Sequence, residues 1–425
     1  MKLLHTADIH LGSNTYGRID PETGLNTRLL DFQRCFEFMV QRGLDEDIDL
    51  FLFCGDAYRT ADPTPTQQKV FAECLKPIAD AGIPIVMVTG NHDHPVSFGK
   101  ASAIDIFGYV SGDVHLFRKP DKALIQTRSG PLQLLALPWP IRSMLLSKEA
   151  FRKKSPHEIR DVIEQLYIHF IDTTVKTFDP ALPTVLAGHF SVQGSDLAGS
   201  ERTSLIAHEP KFLPGHLAPP PIDYVALGHI HRFQNRNRAD DPGATRVVHA
   251  KDTPVVYCSS IERISFKEID DRKGFVLVDI ETDGAEKKTS YTFVDTPTRP
   301  FLSLYADART HPDPTDRILQ EIAKVDVTDA IVRVRYHIDE AQAAQVDARR
   351  IREALAPAFV IAAIERTVDP VERQRRTVLT REVSLHVAME RYIAQHDHLA
   401  SLKDDLIEAA LALEADYLAK RRDEE

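Results

Sequence analysis

Carboxylates and imidazoles that could bind metal ions follow several apolar runs in this sequence. Asp8 and His10 come directly after residues 1–6, whose apolar character predicts a short buried strand. Taken alone, this Asp-x-His pair is weak support for a metal site. Four later apolar runs end in the same way, and they deliver Asp56, Asn91 with His92 and Asp93, His189, and His229 with His231. Because each run presents its polar residues from its C-terminal end, we expect them to meet at one edge of a sheet.

Seven of these side chains are candidate metal ligands: Asp8, His10, Asp56, Asn91, His189, His229 and His231. Oxygen and imidazole donors without thiolates disfavour a structural zinc site and suit Mn²⁺, Fe²⁺ or a similar ion. Seven donors exceed the needs of one open-sided catalytic ion. They suit two ions roughly 3.5–4 Å apart that share a bridging carboxylate and hold the attacking and leaving oxygens of a phosphoryl displacement. The donor set therefore predicts a two-metal phosphoesterase.

Two further residues are candidates for catalysis. His92 follows Asn91 and is expected to face the substrate rather than a metal, where a protonated imidazole would stabilise developing charge and protonate the leaving oxygen. Asp93 would then orient His92. Other interpretations compete with these: Asn91 as a turn residue, His92 as a packing residue and Asp93 as a loop cap.

The length and composition restrict the class of protein. A chain of 425 residues is expected to form two or three domains, and its 43% hydrophobic and 27% charged residues are typical of globular proteins. No apolar run reaches the roughly 18 residues that cross a bilayer, and the N-terminus does not resemble a signal peptide. The four cysteines are scattered and contain no C-x-x-C motif. We therefore expect a cytoplasmic protein without disulfides.

The net charge of −11 bears on nucleic-acid binding. Proteins that bind nucleic acid through bulk charge are usually basic, so this charge argues against a simple DNA-binding module. It does not argue against an enzyme whose bound cations supply positive charge locally.

The elements that must position the candidate residues follow an α/β pattern. Strands are predicted over residues 49–54 and 83–89, with helices over 27–42 and 65–81 between and before them. Strand–helix alternation with near-continuous apolar strands is typical of a mostly parallel, covered sheet.

Three domains are predicted along the chain. Residues 1–297 form the catalytic domain, and residues 298–370 form a small α+β unit. Residues 371–425 form two amphipathic helices behind a basic run, Arg373 to Arg376. Two helices of this size cannot bury their own apolar faces, so they pack either on the enzyme or on a partner.

Five motifs in this sequence resemble those of the calcineurin-like metallophosphoesterases. In chain order they are Asp8-x-His10, Gly55-Asp56, Gly90-Asn91-His92-Asp93, Gly188-His189 and Gly228-His229-x-His231. The resemblance implies a β-sandwich flanked by helices and two metal positions. The first would be held by Asp8, His10, Asp56 and His231, and the second by Asp56, Asn91, His189 and His229.

A closer resemblance is to the DNA-repair nucleases of this superfamily. It rests on residues 5–12, 189–194, 199–202 and 260–263. It implies a capping domain, a partner-binding helical segment and a homodimer that works with an SMC-like ATPase. The implied activity is Mn²⁺-dependent exonuclease and endonuclease cleavage of DNA. The sequence departs from the pattern at Arg59, where relatives often carry histidine or an acid, and at Tyr257-Cys258-Ser259-Ser260, where Tyr-Pro-Gly-Ser is common.

Two alternative functions stay open at this point. The same ligands would serve a phosphodiesterase or phosphatase acting on small phosphate esters, although such an enzyme does not need the residues beyond position 300. The second alternative is a DNA-end scaffold with dispensable catalysis. An intact set of convergent ligands argues against it, because a scaffold has no use for them.

Overall fold

The structure is a computed structural model of the chain. The residues that it describes are 1–95, 100–109, 112–140, 153–199, 209–237, 246–249, 253–283, 286–369, 384–394 and 396–422.

The first large sheet has seven strands and contains the N-terminus of the chain. In spatial order they are Arg246–His249 (β12), Glu286–Asp295 (β15), Gly274–Asp283 (β14), Lys2–Thr6 (β1), Leu50–Phe53 (β2), Ile85–Val88 (β3) and Val114–Phe117 (β4). Strands β1 to β4 are parallel, and β14 runs antiparallel to β1. Parallel neighbours in this sheet therefore present their C-terminal ends at the same edge.

The second large sheet has six strands. In spatial order they are Gln234–Asn235 (β11), Val255–Tyr257 (β13), Tyr224–Gly228 (β10), Thr184–His189 (β7), Gly130–Leu137 (β6) and Asp121–Thr127 (β5). Strands β6, β7, β10 and β13 are parallel. A short pair, Ser191–Val192 (β8) and Lys211–Phe212 (β9), lies beyond the end of β7.

The two sheets pack face to face, which confirms the predicted sandwich. Alternate residues of β1 and β2, such as Leu3 and Leu52, lie in one core with Leu134 and Ala187 of the second sheet. The intervening residues, such as Phe53, point the other way into the core beneath the first pair of helices. Both faces of the central strands are thus buried, which explains why their sequences are apolar almost without interruption.

Helices cover the two outer faces of the sandwich. They are Thr27–Asp45 (α1) and Pro65–Asp80 (α2) on the first sheet, and Pro156–Thr174 (α3) and Pro214–Leu217 (α4) on the second. Local sequence sets where the longer ones begin. Thr64 and Ser155 form capping boxes with Gln67 and Glu158, and a proline occupies the first turn of each of these helices.

Residues 301–369 form a third, smaller sheet with its own core. The parallel strands Phe301–Asp307 (β16), Ile331–Asp339 (β17) and Val360–Asp369 (β18) pack against Pro314–Ile322 (α5) and Ala348–Ala354 (α6). The strands and helices predicted for this α+β unit are therefore present. Its boundaries as a separate domain stay a prediction.

Two helices lie at the C-terminal end of the described chain, Leu385–Ala394 (α7) and Lys403–Arg422 (α8). The spacing of Leu399, Leu402, Leu406, Leu413 and Tyr417 predicts one second helix, but Leu399 and Leu402 lie in a 3₁₀ turn over Asp397–Leu402 rather than in α8. The basic run at positions 373–376 lies outside the described residues. Of the helices in the described ranges, none combines the length and the apolar character that crossing a membrane requires.

Candidate metal centre

The seven predicted ligands come together, but at the edges of two sheets rather than one. The loops after β1, β2 and β3 of the first sheet carry Asp8 and His10, Asp56, and Asn91. In the second sheet β7 ends at His189, and the loop after β10 carries His229 and His231. The expectation of a single sheet edge was therefore wrong. The ligands face each other across the sandwich, because the two sets of parallel strands end on the same side of it.

One group of donors surrounds the imidazole of His231. Its Nε2 atom lies 3.0 Å from Nε2 of His10, and Oδ1 of Asp8 lies 3.8 Å from His231 Nε2 and 3.9 Å from His10 Nε2. All three side chains are almost fully buried. Nδ1 of His231 is bonded to the Glu268 carboxylate, which as an anion only accepts, so in the neutral ring Nε2 carries the lone pair. That lone pair faces the other donors of the group.

A second group of donors surrounds the side chain of Asn91. Its Oδ1 atom lies 3.0 Å from His189 Nε2 and 3.1 Å from His229 Nδ1. The outer nitrogens of both rings point at acceptors, since His189 Nδ1 lies 2.6 Å from the Cys54 carbonyl and His229 Nε2 lies 2.9 Å from Glu209. When both rings are neutral, as metal ligation requires, the inner nitrogens and Oδ1 are all electron-pair donors. Such a cluster fits a cation.

Asp56 lies between the two groups. Its Oδ2 atom is 3.6 Å from His10 Nε2 in the first group and 3.4 Å from His189 Nε2 in the second. Within the described residues, two of the triads whose donor atoms fit around one ion contain this carboxylate. A single carboxylate in reach of both groups is the arrangement that a bridged pair of metal ions requires.

The backbone is strained at four of the predicted ligands. Positive φ angles occur at Asp8 (52°), His10 (48°), Asp56 (61°) and His229 (93°). A left-handed conformation costs a residue with a Cβ roughly 1–2 kcal/mol, and it persists where the surroundings enforce it. The left-handed conformation turns the chain sharply after each strand and directs these side chains toward the centre.

Two glycines permit close packing of the loops around Asp56. Gly55 has a φ of +94°, and a Cβ at Gly90 would lie 2.2 Å from Asp56 Oδ1. The glycines of these motifs therefore serve close approach as well as sharp turning.

The electrostatics of the cluster reflect its burial. Burial raises the pKa of Asp8 to about 6, against the opposing effect of His231 and His189. Burial also favours the neutral acid at Asp56, but the nearby imidazoles, His189 first, hold its pKa well below the usual value. Although burial disfavours the imidazolium, the Asp56 carboxylate raises the pKa of His189 to about 9. The negative potential of the Asp56 carboxylate, which favours a proton on His189, also favours a divalent cation.

His92 lies beside the first group, with its ring centroid 4.8 Å from that of His10. The predicted contact between His92 and Asp93 was wrong. His92 Nδ1 donates instead to the backbone carbonyl of Arg59 at 2.8 Å. This bond leaves Nε2 as the ring nitrogen available to a substrate. It also shows that Arg59, where the sequence departs from the family pattern, contributes a backbone atom.

Asp93 joins the loops after β2 and β3. Its carboxylate accepts hydrogen bonds from the backbone N–H groups of Asp56 (2.8 Å), Ala57 (3.0 Å) and Gly90 (2.8 Å). Burial and the neighbouring Asp56 carboxylate raise its pKa to about 6. Asp93 therefore positions the loops that carry Asp56 and Asn91, which corresponds to the loop-cap interpretation.

Sequence reasoning missed three residues that contact the ligands. Glu209 and Glu268 bond the outer nitrogens of His229 and His231. The indole of Trp139 packs against two imidazoles, 5.1 Å from His229 and 6.2 Å from His189 between ring centroids. Neither glutamate belongs to any of the five motifs, so the sequence did not mark them. Trp139 was detectable only as the single tryptophan at the end of an apolar strand.

The chain belongs to the calcineurin-like phosphoesterase family, whose pattern it matches over residues 1–233, more than half of its 425 residues. Membership implies divalent metal ions, and the described cluster of oxygen and imidazole donors fits them.

Several curated proteins are similar to this chain. The D-subunit of the nuclease SbcCD from Escherichia coli (strain K12) is 24% identical over 239 residues, which cover 55% of this chain and 57% of that protein. The protein of the same name from Bacillus subtilis (strain 168) is 30% identical over 249 residues, 56% of this chain and 59% of that protein. The Staphylococcus epidermidis protein of that name is 25% identical over 336 residues, 76% of each chain. The first two matches thus span less than two thirds of the relatives' length.

Proposed function

We propose that this protein is a dimetal-dependent DNA nuclease that hydrolyses phosphodiester bonds during DNA repair. The observation that carries the proposal is the position of Asp56, 3.6 Å from His10 Nε2 and 3.4 Å from His189 Nε2. The similarity to nuclease subunits supports DNA as the substrate. The activity we infer is exonuclease cleavage of double strands and endonuclease cleavage of single strands and hairpins.

Two Mn²⁺ ions are the proposed cofactors. Asp8, His10, Asp56 and His231 would hold the first, and Asp56, Asn91, His189 and His229 the second. When bound, such a pair lowers the pKa of a water molecule and neutralises charge on the phosphate. Mixed oxygen and imidazole donors support manganese over a structural zinc ion.

Residues of the chain supply the remaining steps. We assign to His92 the general acid that protonates the leaving oxygen from Nε2, while the Arg59 carbonyl holds Nδ1. Asp93 acts as a positioning residue through the backbone N–H groups of Asp56 and Gly90. The buried carboxylates and imidazoles bind the scissile phosphate only through the cations, because the carboxylate charge would repel it.

We further propose a three-part organisation: residues 1–297 as the nuclease domain, 298–370 as a capping domain and 371–425 as a partner-binding segment. The partner would be an SbcC-like SMC ATPase, and the protein would act as a homodimer. A net charge of −11 supports a need for such a partner, because the chain alone has no excess of positive charge with which to hold DNA.

The decisive experiment compares three substrates with Mn²⁺ added to the full chain: linear duplex DNA, single-stranded circles and a small bis-aryl phosphate. We expect cleavage of both DNA substrates, loss of activity with a chelator, and loss in Asp56→Asn. Asp172→Asn, an exposed aspartate on α3, is the matched control and should behave as the unsubstituted chain. Activity on the small ester alone would overturn the assignment of DNA as substrate.

A further inference from the structure

Each donor group of the metal centre contains one histidine whose outer ring nitrogen is bonded to a buried glutamate. His231 Nδ1 lies 3.0 Å from Glu268, and His229 Nε2 lies 2.9 Å from Glu209. Glu268 is 0% exposed and Glu209 is 7% exposed. Burial of a carboxylate is costly unless it is well bonded, so these two contacts are specific features of the fold.

Glu268 is held rigidly from three sides. Its carboxylate bonds His231, accepts a hydrogen bond from the backbone N–H of Ile264 at 2.9 Å, and forms an ion pair with Lys273 at 3.0 Å. Lys273 is itself buried and donates to the backbone carbonyl of His231 at 2.8 Å. One buried ion pair thus fixes both the ring and the backbone of His231.

Glu209 supports the other group through different contacts. Its Oε2 atom accepts from the hydroxyl of Ser191 at 3.0 Å as well as from His229. Ser191 lies in β8, two residues after His189. Glu209 therefore connects the segment that follows β7 to the loop that follows β10, and both of these segments adjoin ligands of the second group.

We infer that Glu268 and Glu209 are positioning residues that act on different metal positions, Glu268 on the Asp8–His10–His231 group and Glu209 on the Asn91–His189–His229 group. The inference deepens the proposed function and rests on it. A carboxylate bonded to the outer nitrogen fixes the tautomer, aims the lone pair of the inner nitrogen and makes it more basic. Loss of such a partner typically weakens metal binding about 10- to 100-fold.

Trp139 provides a built-in reporter for the second group. It is the only tryptophan of the chain, and its indole centroid lies 5.1 Å from the ring of His229 and 6.2 Å from that of His189. Because both of these imidazoles belong to the second group, a metal ion that binds there changes the surroundings of the indole directly. The fluorescence of Trp139 therefore reports where a metal binds, independently of catalysis.

The experiment titrates the metal-free full chain with Mn²⁺, following heat and tryptophan fluorescence together. Two binding events are expected for the unsubstituted chain. In Glu209→Gln, the event that changes the fluorescence should weaken about 10- to 100-fold while the other shifts less than about 3-fold. In Glu268→Gln, the Mn²⁺ affinity of the event that does not change the fluorescence should fall. The affinity of the event that changes the fluorescence should stay the same.

Control variants distinguish a positioning role from a general loss of protein stability. Glu353→Gln changes an exposed glutamate in α6 and should leave both events unchanged. Ser191→Ala removes a partner of Glu209 without touching the carboxylate, and it should weaken the fluorescent event in the same direction. If thermal unfolding shows that Glu209→Gln does not fold, Ser191→Ala replaces it as the test variant for the second group.

Two results would overturn the inference: unaltered binding in both glutamate variants, or weakening of the same event by both. A complete absence of Mn²⁺ binding by the unsubstituted chain would instead remove the proposed metal centre itself. The failure of the inference and the failure of the proposed function are therefore distinguishable.

Discussion

His92 and Asp93 are adjacent in the chain but act on different parts of the site. The ring of His92 is half-buried beside His10, with one nitrogen fixed on a backbone carbonyl. The carboxylate of Asp93 is buried and faces three backbone N–H groups. We therefore propose the first residue for proton transfer and the second for holding the loops, and different measurements test the two roles.

Replacing His92 with alanine should reduce DNA cleavage about 10²- to 10⁴-fold, because the proposed general acid is lost. Mn²⁺ binding should stay within a few-fold of normal, since the seven proposed ligands remain. Single-turnover cleavage of linear duplex DNA and a Mn²⁺ titration measure the two effects. His115→Ala, which removes a half-buried histidine of β4 that pairs with Asp113, is the control. Cleavage at the normal rate in His92→Ala would remove His92 from the mechanism.

Replacing Asp93 with alanine should lower the free energy of unfolding by about 2–4 kcal/mol, because three N–H groups lose their acceptor in a buried loop. Asp93→Asn retains one carbonyl oxygen, so its loss should be smaller. Urea unfolding of the metal-free chain at pH 7 measures both. Equal stability of Asp93→Ala and the unsubstituted chain would contradict the positioning role.

At the scale of elements, helix α1 is joined to the α+β unit by buried charges. Arg299, which precedes β16, bonds Asp31 of α1 with Nη2 at 2.7 Å and Nε at 2.9 Å. Its guanidinium also bonds Asp329 and lies 3.6 Å from the ring centroid of Phe359, the residue before β18. One side chain thus connects the helix that covers the first sheet to two segments of the smaller sheet.

Replacing Arg299 with methionine should destabilise this junction by about 1.5–3 kcal/mol, because the buried Asp31 carboxylate loses its charged hydrogen bonds to Arg299 while it keeps those to Arg28 and Arg34. We expect a lower unfolding midpoint and faster proteolytic cleavage between the two-sheet sandwich and the α+β unit. Arg349→Met, which removes an exposed ion pair with Glu353, should have little effect and is the control. An unchanged midpoint in Arg299→Met would mean that Asp31 is adequately compensated by its other contacts.

At the scale of the whole molecule, the C-terminal helix exposes apolar residues. Leu413 is 71% exposed and Tyr417 is 61% exposed on α8. Large apolar side chains left in water on a long helix are typical of a surface that another protein covers. This observation supports the proposal that residues 371–425 bind a partner.

The double substitution Leu413→Asp and Tyr417→Asp should abolish co-purification with an SbcC-like ATPase, because two charges would be buried at the interface. Cleavage of DNA by the chain alone should be unchanged, since α8 contributes none of the metal ligands. Leu124→Asp, at an exposed leucine of β5, is the matched control. Retained association in the double variant would place the partner's binding surface elsewhere.

The residue types and their order determined the donor set and the kinds of element that carry it. Continuous apolar runs predicted strands β1 to β3, and apolar residues at helical spacing predicted helices α1 and α2. The alternation of these elements predicted the parallel packing that brings the strand ends together. These features are local, because burial on both faces selects near-continuous apolar strands and capping residues fix helix starts. The sequence alone therefore indicated a two-metal phosphoesterase.

Tertiary structure alone decided how the donors meet and what supports them. The apolar pattern of a strand indicates whether the strand is buried but not which sheet it joins. The division of the ligands between the edges of two facing sheets was therefore not predictable. The carboxylate partners of His229 and His231, and the loops joined by Asp93, depend on contacts between residues distant along the chain. Such contacts leave no periodic pattern in the sequence, because only the folded geometry brings the partners within hydrogen-bonding distance.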